Sequence, residues 1–326
     1  MAKKKKRVAK IEQSTKTSTV DLQKKRIKEL EKQLEQCRDQ LAKSRASKFK
    51  LAIGKRKNTK GSQHCRVIIP DSHGCLIDRQ AATAMLNDLS MIKPSEVVHL
   101  GDAIDCGSML AAHQVLGYVA DTTYTFEDDV NATNQFLDEI QERVDCPVTL
   151  IEGNHERRLE RWCLTNAMRN SGNPAKDAEY LLSMFSVASV LNLEKRKIRL
   201  IKQGRFYDDL PLPATIRLGR CFFTHGSSTA KHAASVHLAR FGNNVVFGHT
   251  HRADTATTRT VEQNIISAFN PGCLAKLQPL WQHTNPTTWN HGYGIQLVRS
   301  NGEFLHINVP VIKGVSLLSP LIEELT

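Results

Sequence analysis

Asn154 and His155 stand side by side in the motif Gly153–Glu156, directly after the apolar run Pro147–Ile151. The run predicts a buried strand, so both side chains lie on the loop at its carboxyl end, where open α/β sheets bind ligands. An amide oxygen and an imidazole in that position can ligate a metal or transfer a proton. A single pair of this kind is more often a turn with a hydrogen-bonded histidine, so the hypothesis depends on the other motifs of the chain.

Four further motifs follow apolar runs in the same way. The runs 66–70 and 96–100 precede Asp-x-His and Gly-Asp motifs, and the runs 221–224 and 244–247 precede His-Gly and Gly-His-x-His motifs. The five strand ends together supply seven oxygen or nitrogen ligands: Asp71, His73, Asp102, Asn154, His225, His249 and His251. Because one carboxylate can bridge two ions, this set fits two divalent cations and includes no sulfur.

The elements around these motifs predict a mixed α/β body. The apolar spacing of 79–91 predicts a helix that crosses from the first strand to the second, so those strands are expected to be parallel. A second helical region, 157–197, is long for a plain crossover and is interpreted as an insertion or cap. Four strands predicted nearer the C-terminus are expected to complete a second sheet: 257–261, 264–268, 294–299 and 304–309.

The order of the motifs resembles the calcineurin-like metallophosphoesterase superfamily. The series is Asp-x-His, Gly-Asp-x-x-Asp, Gly-Asn-His-Glu, His-Gly and Gly-His-x-His, and the resemblance covers about residues 66–275. It implies an α/β fold, a four-layer α-β-β-α sandwich, in a domain over 65–326. It also implies a metal-dependent hydrolase whose substrate is a phosphate mono- or diester.

The resemblance assigns the seven ligands to two ions that share one carboxylate: Asp71, His73 and His251 at the first ion, Asn154, His225 and His249 at the second, and Asp102 as the bridge. His155 would protonate the leaving oxygen, with Asp105 as its partner. Two divalent cations can activate a water molecule and offset the charge of a phosphoryl group. Manganese is the leading choice of metal, with iron, zinc, nickel or magnesium as alternatives.

Two arginines of the phosphoprotein phosphatase branch of this superfamily are missing. Their positions hold Cys106 and Glu152, so two guanidinium groups that would clamp a phosphate are absent from their usual places. Arg157 and Arg158 follow the third motif and offer a substitute from the pocket wall. Plain surface charge is the alternative interpretation of both.

Two classes of enzyme, which differ in their natural ester, fit the sequence. One is a phosphoprotein or small-molecule phosphatase, and the other is a nuclease or nucleotide phosphodiesterase that acts on nucleic acid held by a basic arm. A non-catalytic scaffold is the remote alternative, and the complete ligand set is evidence against it. Trp281 and Trp289 are predicted to be buried anchors, with substrate contact as the alternative.

The basic charge of the chain is concentrated in residues 1–64. This arm has 21 Lys or Arg against 6 Asp or Glu, so it carries +15 and leaves −3 for residues 65–326. The arm is either a solvated tail or a contact for nucleic acid or another polyanion. Phe49 is its one aromatic residue, so base stacking is not indicated.

Residues 20–41 of the arm have the apolar spacing of a coiled-coil seam, with Ile27, Leu30, Leu34, Cys37 and Leu41 three or four apart. The pattern predicts either a homo-oligomer through this helix or a single helix lying on the body. Residues 43–60 are polar and basic without periodicity, and they are interpreted as a flexible linker.

No apolar run reaches the roughly 18 residues of a membrane span, and no apolar stretch of a signal peptide follows the basic N-terminus. We therefore expect no membrane partner and a cytoplasmic location, in the cytosol of the host cell. The eight cysteines form no Cys-x-x-Cys pair and are expected to be reduced and mostly buried.

Deleting residues 1–64 should leave hydrolysis of a small chromogenic ester nearly unchanged, because all seven candidate ligands lie in the body. The deletion should lower the oligomer mass if the seam is real. It should also weaken polyanion binding in a salt-dependent way, because counterion release scales with the phosphates neutralised. Light scattering and a salt titration of DNA binding on both proteins measure these effects. Equal mass per chain and equal, salt-insensitive binding would leave the arm as a solvated tail.

Overall fold

The computed structural model describes most of the body and four positions of the arm. The described residues are 28, 32, 36, 64–107, 123–170, 172–203, 206–207, 210–211, 213–262, 264–279 and 286–319. The chain divides into two units, Met1–Arg56 with Thr326, and Lys57–Leu325. In the first unit the three described positions are helical and exposed. The predicted seam residues lie outside the described residues.

The described part of the body contains strands β1 (His64–Ile69), β2 (Glu96–His99), β3 (Val148–Ile151), β4 (Arg199–Ile201), β5 (Phe206–Tyr207), β6 (Leu210–Pro211), β7 (Thr215–Leu218), β8 (Cys221–Thr224), β9 (Val245–Phe247), β10 (Ala253–Arg259), β11 (Ile265–Pro271), β12 (Gly292–Val298), β13 (Phe304–Ile312) and β14 (Val315–Ser316). Its α-helices are α1 (Arg79–Ile92), α2 (Phe126–Gln141), α3 (Glu156–Asn170), α4 (Pro174–Phe185), α5 (Val187–Val190) and α6 (Ala233–Phe241).

Two sheets carry most of the strands. The first has the order β14-β13-β12-β1-β2-β3-β4, the second has the order β10-β11-β9-β8-β7, and β5 pairs with β6. Strands β1 to β4 are parallel, and α1 connects β1 to β2 as the sequence predicts. Strands β8 and β9 are also parallel. In each sheet, therefore, the loops that leave the carboxyl ends of these strands emerge at a common edge.

Three apolar clusters separate four layers. Val67 and Ile69 of β1 face a cluster with α1 and α2, whereas Ile68 faces a cluster with the second sheet, since successive side chains of a strand point to opposite faces. A third cluster packs α6 against the other face of the second sheet, with Leu238 and Phe247 among its members. The predicted four-layer α-β-β-α sandwich is thus confirmed.

The C-terminal strands differ from the prediction. The pair β10 and β11 joins the second sheet as expected, but β12 and β13 join the first sheet beside β1. Strand β12 runs antiparallel to β1 with Ile295 opposite Val67, and Tyr293 and Val309 extend the apolar face that packs against the helices. An alternating pattern identifies the buried face of a strand without saying which sheet it joins, so the expectation that all four strands complete the second sheet was wrong.

Helices α3 and α4 occupy most of the predicted helical region 157–197; α3 ends at Asn170 and α4 begins at Pro174. The seven described cysteines form no disulfide, and four of them are buried. Among the described residues, no helix combines the length and the apolar character needed to cross a membrane.

Candidate metal centre

The seven candidate ligands lie on the loops that follow the carboxyl ends of five strands: β1, β2, β3, β8 and β9. Three of the four imidazoles among them, and both carboxylates, are buried. Asn154 is exposed, and His155 and His249 are half-buried. The centre is therefore buried at its base and accessible from the side on which these three residues lie.

The first cluster contains Asp71, His73 and His251, as the sequence predicts. The Nε2 atom of His251 lies 3.1 Å from Asp71 Oδ2 and 3.0 Å from His73 Nε2. The Asp71 carboxylate also accepts hydrogen bonds from the His249 N–H at 3.1 and 3.0 Å. This carboxylate is thereby fixed against the Gly-His-x-His loop.

The second cluster gathers around His225, whose Nε2 atom lies 2.9 Å from Asn154 Oδ1 and 3.2 Å from His249 Nδ1. The Nδ1 atom of His225 lies 3.1 Å from the carbonyl oxygen of Leu100. Since Nδ1–H donates to that oxygen, Nε2 points into the cluster. All three side chains assigned to the second ion therefore face one point.

Asp102 lies between the two clusters. Its Oδ2 atom is 3.3 Å from His225 Nε2 and 3.8 Å from His73 Nε2, while its Oδ1 atom accepts a hydrogen bond of 2.8 Å from the His155 N–H. One carboxylate is thus within reach of ligands from both clusters, as a bridging residue requires.

The distances fit divalent cations. Ligand atoms about 2.1 Å from one ion lie about 3.0–3.4 Å from each other in octahedral or tetrahedral geometry. The separations of 3.0 and 3.1 Å in the first cluster and 2.9 to 3.3 Å in the second match that spacing. The nitrogen and oxygen donors suit hard or borderline metals.

The electrostatics of the centre favour positive charge. Burial alone would raise the pKa of Asp71, but the charges of His225 and His251 outweigh it and lower that pKa to about 2. Burial disfavours a charged imidazole, yet Asp102 and Asp71 raise the pKa of His225 to about 10. The carboxylates are therefore ionised at neutral pH, and a divalent cation can supply the positive charge that a proton on His225 would otherwise provide.

Four candidate ligands have a left-handed backbone, with φ of 55° at His73, 49° at Asp102, 71° at His249 and 57° at His251. This conformation costs about 1–2 kcal/mol at each residue that has a Cβ atom. Such strain persists where the surrounding contacts fix the backbone, and it is concentrated at functional sites. The loops are thus held in the shape that makes their side chains converge.

Motif glycines leave space for carboxylates of other loops. A Cβ atom on Gly153 would collide with Asp102 Oδ1, and one on Gly248 would collide with Asp71 Oδ1. Gly153 and Gly248 have no left-handed backbone. These two positions therefore require glycine because a carboxylate of another loop approaches closely, and not because the backbone has a positive φ.

His155 faces both Asp102 and Asp105. Its Nδ1 atom lies 3.0 Å from Asp105 Oδ1 and 2.8 Å from the Asp105 carbonyl oxygen, and its Nε2 atom lies 3.8 Å from Asp102 Oδ2. Burial opposes a charged ring, but the two carboxylates raise the pKa of His155 above its ordinary value. The structure thus places the predicted acid and its predicted partner together.

The two arginines after the third motif point in different directions. Arg158 donates from Nη1 to the carbonyl oxygen of Asp105 over 3.0 Å, and its charge acts on the pKa of His155. The charge of Arg157 instead acts on Glu152, where it partly offsets the rise in pKa that burial causes. Arg158 therefore lies near His155, the predicted acid, and Arg157 lies near Glu152, a carboxylate outside the centre.

Trp289 packs edge-on against His251, with ring centroids 4.2 Å apart, and it is half-buried. The neighbouring Asn290 donates to the carbonyl oxygen of His251 over 3.0 Å. Both the buried-anchor and the substrate-contact interpretations of Trp289 are compatible with this place. Trp281 lies outside the described residues.

Two carboxylates of the site had no role in the sequence analysis. Glu156 is fully buried and accepts hydrogen bonds from the N–H groups of Asp102, Ala103 and Gly153 over 2.9, 2.7 and 2.9 Å. Asp129, also fully buried, accepts hydrogen bonds from the backbone N–H groups of Cys75 and Cys106 over 3.0 and 2.7 Å. The place of Glu156 in the Gly-Asn-His-Glu motif could have indicated its role. Asp129 belongs to no motif, so the sequence gave no indication of its role.

A sequence model of the calcineurin-like phosphoesterase family matches residues 67–253. The chain belongs to this family. The motif resemblance is thereby confirmed, and the match spans all five motifs. For a calcineurin-like phosphoesterase, the Asp and His clusters described above are a candidate metal centre.

The relatives of this calcineurin-like phosphoesterase include two phage proteins. The Gene 54 proteins of Mycobacterium phages L5 and D29 are each 26% identical to it, over 260 and 264 residues, which is 76% of this chain and 94% of each relative. Their names state no activity.

Similar solved structures include Yfce, a phosphoesterase from E. coli, at 16% identity and a TM-score of 0.32, covering 75% of this chain and 98% of that one. They also include Vacuolar Protein Sorting 29 from Cryptosporidium parvum, at 11% identity and a TM-score of 0.40, covering 78% and 94%. The family assignment rests on the sequence match and does not depend on these likenesses.

Replacing Glu156 with alanine should destabilise the protein by about 3 kcal/mol, since each buried polar group left without a partner costs roughly 1–3 kcal/mol. It should also weaken metal binding, because the Asp102 loop loses its attachment to the Gly153 loop. Denaturant unfolding and metal titration measure the two effects.

Glu160→Ala is the control, since Glu160 is exposed on the same helix. If both variants unfolded at the same denaturant concentration, the three hydrogen bonds of Glu156 would contribute little to the site.

Proposed function

We propose that the protein is a binuclear metal-dependent phosphoesterase. It hydrolyses a phosphate mono- or diester with water, and His155 acts as the general acid. The observation that carries this proposal is the place of Asp102, whose Oδ2 atom reaches ligands of both clusters at 3.3 and 3.8 Å. Family membership supports the class of reaction.

Two divalent ions bound at these clusters would make a water molecule a nucleophile near neutral pH and offset the charge that develops on the phosphoryl group. We propose Asp71, His73 and His251 for one ion, Asn154, His225 and His249 for the other, and Asp102 for both. Manganese is the leading choice, with iron, zinc, nickel or magnesium as alternatives that suit the same donors.

The ligand set favours an anionic substrate. Asn154 contributes a neutral amide oxygen, so the second cluster adds one fewer negative charge than it would with a carboxylate in that place. The open side of the centre is the side on which Asn154 is exposed. A phosphate that approaches from there meets His155 at the same rim.

His155 is placed to give a proton to the leaving oxygen. Its Nδ1–H faces the carbonyl oxygen of Asp105 at 2.8 Å and Asp105 Oδ1 at 3.0 Å, which leaves Nε2 to carry the transferable proton. The raised pKa of His155 keeps the ring protonated at a higher pH than a free imidazole. General acid catalysis is most efficient when the pKa of the acid lies near the working pH.

Arg158 is the better of the two predicted phosphate contacts. Its guanidinium lies beside Asp105 and acts electrostatically on His155, so a phosphate bound near His155 would be within the range of its charge. We propose Arg158 as a substrate-binding residue. Arg157 has no comparable support.

Assays of the metal-loaded protein on a phosphomonoester, a bis-aryl phosphodiester, single-stranded DNA and a phosphopeptide test the proposed function. Turnover of at least one ester, abolished by a chelator and restored by a divalent metal, is expected. The preferred substrate separates the phosphatase from the nuclease alternative. No turnover on any of the four, with two metals bound, would favour the non-catalytic scaffold.

Asp102→Asn should lose both metals or nearly all turnover, because an amide cannot supply the negative charge that two cations share. Metal analysis of the purified variant and steady-state assays measure this. Asp177→Asn serves as the control, since Asp177 is exposed in the first turn of α4. Two ions still bound, with turnover close to wild type, would remove Asp102 from the bridge.

His155→Ala should keep the metals and slow hydrolysis by about 10²–10⁴-fold for an alkyl phosphate. The loss should be smaller for a nitrophenyl ester, because an acid matters most when the departing oxygen is a strong base. His64→Ala is the control, since His64 lies at the amino end of β1, away from the ligand loops. An equal loss on both esters would assign His155 to positioning the phosphate.

A further inference from the structure

Asp105 lies between two histidines of the centre and a tyrosine outside every motif. Its Oδ1 atom is 2.9 Å from His73 Nδ1 and 3.0 Å from His155 Nδ1. Its Oδ2 atom accepts a hydrogen bond of 2.7 Å from the hydroxyl group of Tyr124. The Asp105 side chain is 1% exposed, so these protein groups take the place of water around it.

This arrangement sets the orientation of both imidazoles. The Nδ1–H of His73 donates to Asp105 Oδ1, and the Nδ1–H of His155 faces both Asp105 Oδ1 and the Asp105 carbonyl oxygen, which is 2.8 Å away. Each Nε2 therefore faces the other way. For His73, Nε2 then faces His251 Nε2 at 3.0 Å, in the first cluster. For His155, Nε2 faces Asp102 Oδ2 at 3.8 Å. Asp105 thus orients a candidate metal ligand through its carboxylate, and the proposed acid through its carboxylate and its carbonyl oxygen together.

The hydroxyl group of Tyr124 limits how the Asp105 carboxylate can turn. A carboxylate held at Oδ1 alone can rotate about its Cβ–Cγ bond, and both imidazole contacts would change with it. The 2.7 Å hydrogen bond at Oδ2 fixes the second oxygen. Partners of this kind around ligating histidines typically change metal affinity or activity by about 10–100-fold when they are removed.

Tyr124 is itself held in place by the start of α2. The next residue, Thr125, caps the helix through a reciprocal pair of hydrogen bonds with Asp128. One turn later, Asp129 accepts the N–H groups of Cys75 and Cys106, which lie on the loops of His73 and Asp105. The first turn of α2 is therefore attached to both loops, and Tyr124 approaches Asp105 from a fixed position.

We propose that Tyr124 is a positioning residue, which acts on the reaction through Asp105 and His155. The proposal rests on the proposed function, in which His155 is the general acid. The hydroxyl group of Tyr124 donates to Asp105 Oδ2, so we place its effect on the reaction at that carboxylate. It lies 19 residues after Asp105 in the chain, and the sequence pattern gave no indication of it.

Tyr124→Phe in the full-length, metal-loaded protein tests the proposal. It should lower kcat for an alkyl phosphate by about tenfold, the lower end of the range for such partners, and leave KM and metal content nearly unchanged. A nitrophenyl ester, which needs less acid assistance, should slow much less. Tyr180→Phe is the matched control, because Tyr180 is 64% exposed on α4.

A double variant separates positioning from a general loss of structure. In a His155→Ala background, adding Tyr124→Phe should change kcat by less than about twofold, since residues that act through one group are not additive. Independent, multiplicative losses would overturn the proposal. Loss of bound metal with no change in leaving-group preference would also overturn it, because the effect would then be on His73.

A measurement that needs no turnover distinguishes this proposal from the proposed function. In the protein loaded with diamagnetic zinc or magnesium, hydrogen-bonded imidazole N–H protons give downfield proton NMR signals, and the His155 signal is identified by its loss in His155→Ala. Tyr124→Phe should shift that signal, whereas Tyr180→Phe should not. An unshifted signal would overturn the positioning role even if the protein hydrolysed no ester. A shifted signal without hydrolysis would contradict the proposed function alone.

Discussion

Buried carboxylates outside the predicted ligand set hold the ligand loops to one another. Glu156 accepts hydrogen bonds from three backbone N–H groups of the loops after β2 and β3. Asp129 accepts hydrogen bonds from two backbone N–H groups of the loops after β1 and β2. A buried charge is costly unless hydrogen bonds satisfy it, so each carboxylate requires its donors as much as the loops require the carboxylate. The candidate ligands converge because this second set of acidic groups leaves their loops few alternative positions.

The same constraint accounts for the left-handed backbone of the candidate ligands. Left-handed conformations at four ligand positions cost free energy that has to be offset by other contacts. Gly153 and Gly248 let the carboxylates of Asp102 and Asp71 approach the neighbouring loops, and those contacts help to fix the strained residues. A metal ion would therefore meet side chains that are already oriented, which reduces the reorganisation that binding requires.

The sequence predicted the parts of this protein that depend on local pattern. The clustering of the candidate ligands was predictable because parallel strands place their carboxyl ends at one edge, and the motifs mark those ends. The sheet that β12 and β13 join was mispredicted because alternating apolar and polar residues do not specify the strand with which a strand pairs. Tyr124 was unpredictable because its contact with Asp105 exists only after α2 packs. The difference between Arg157 and Arg158 likewise depends on the direction in which α3 leaves the loop.

The first cluster joins residues from opposite ends of the family domain, since His73 and His251 are 178 positions apart in the chain. During synthesis, nothing upstream of β9 can complete the site, so a nascent chain must form most of both sheets before it can capture an ion with its full set of donors. Long-range contacts of this kind form late and slow the folding of a domain. If the two clusters hold ions, a chain without its last strands would offer only part of the donor set, and binding at full affinity would follow folding and not guide it.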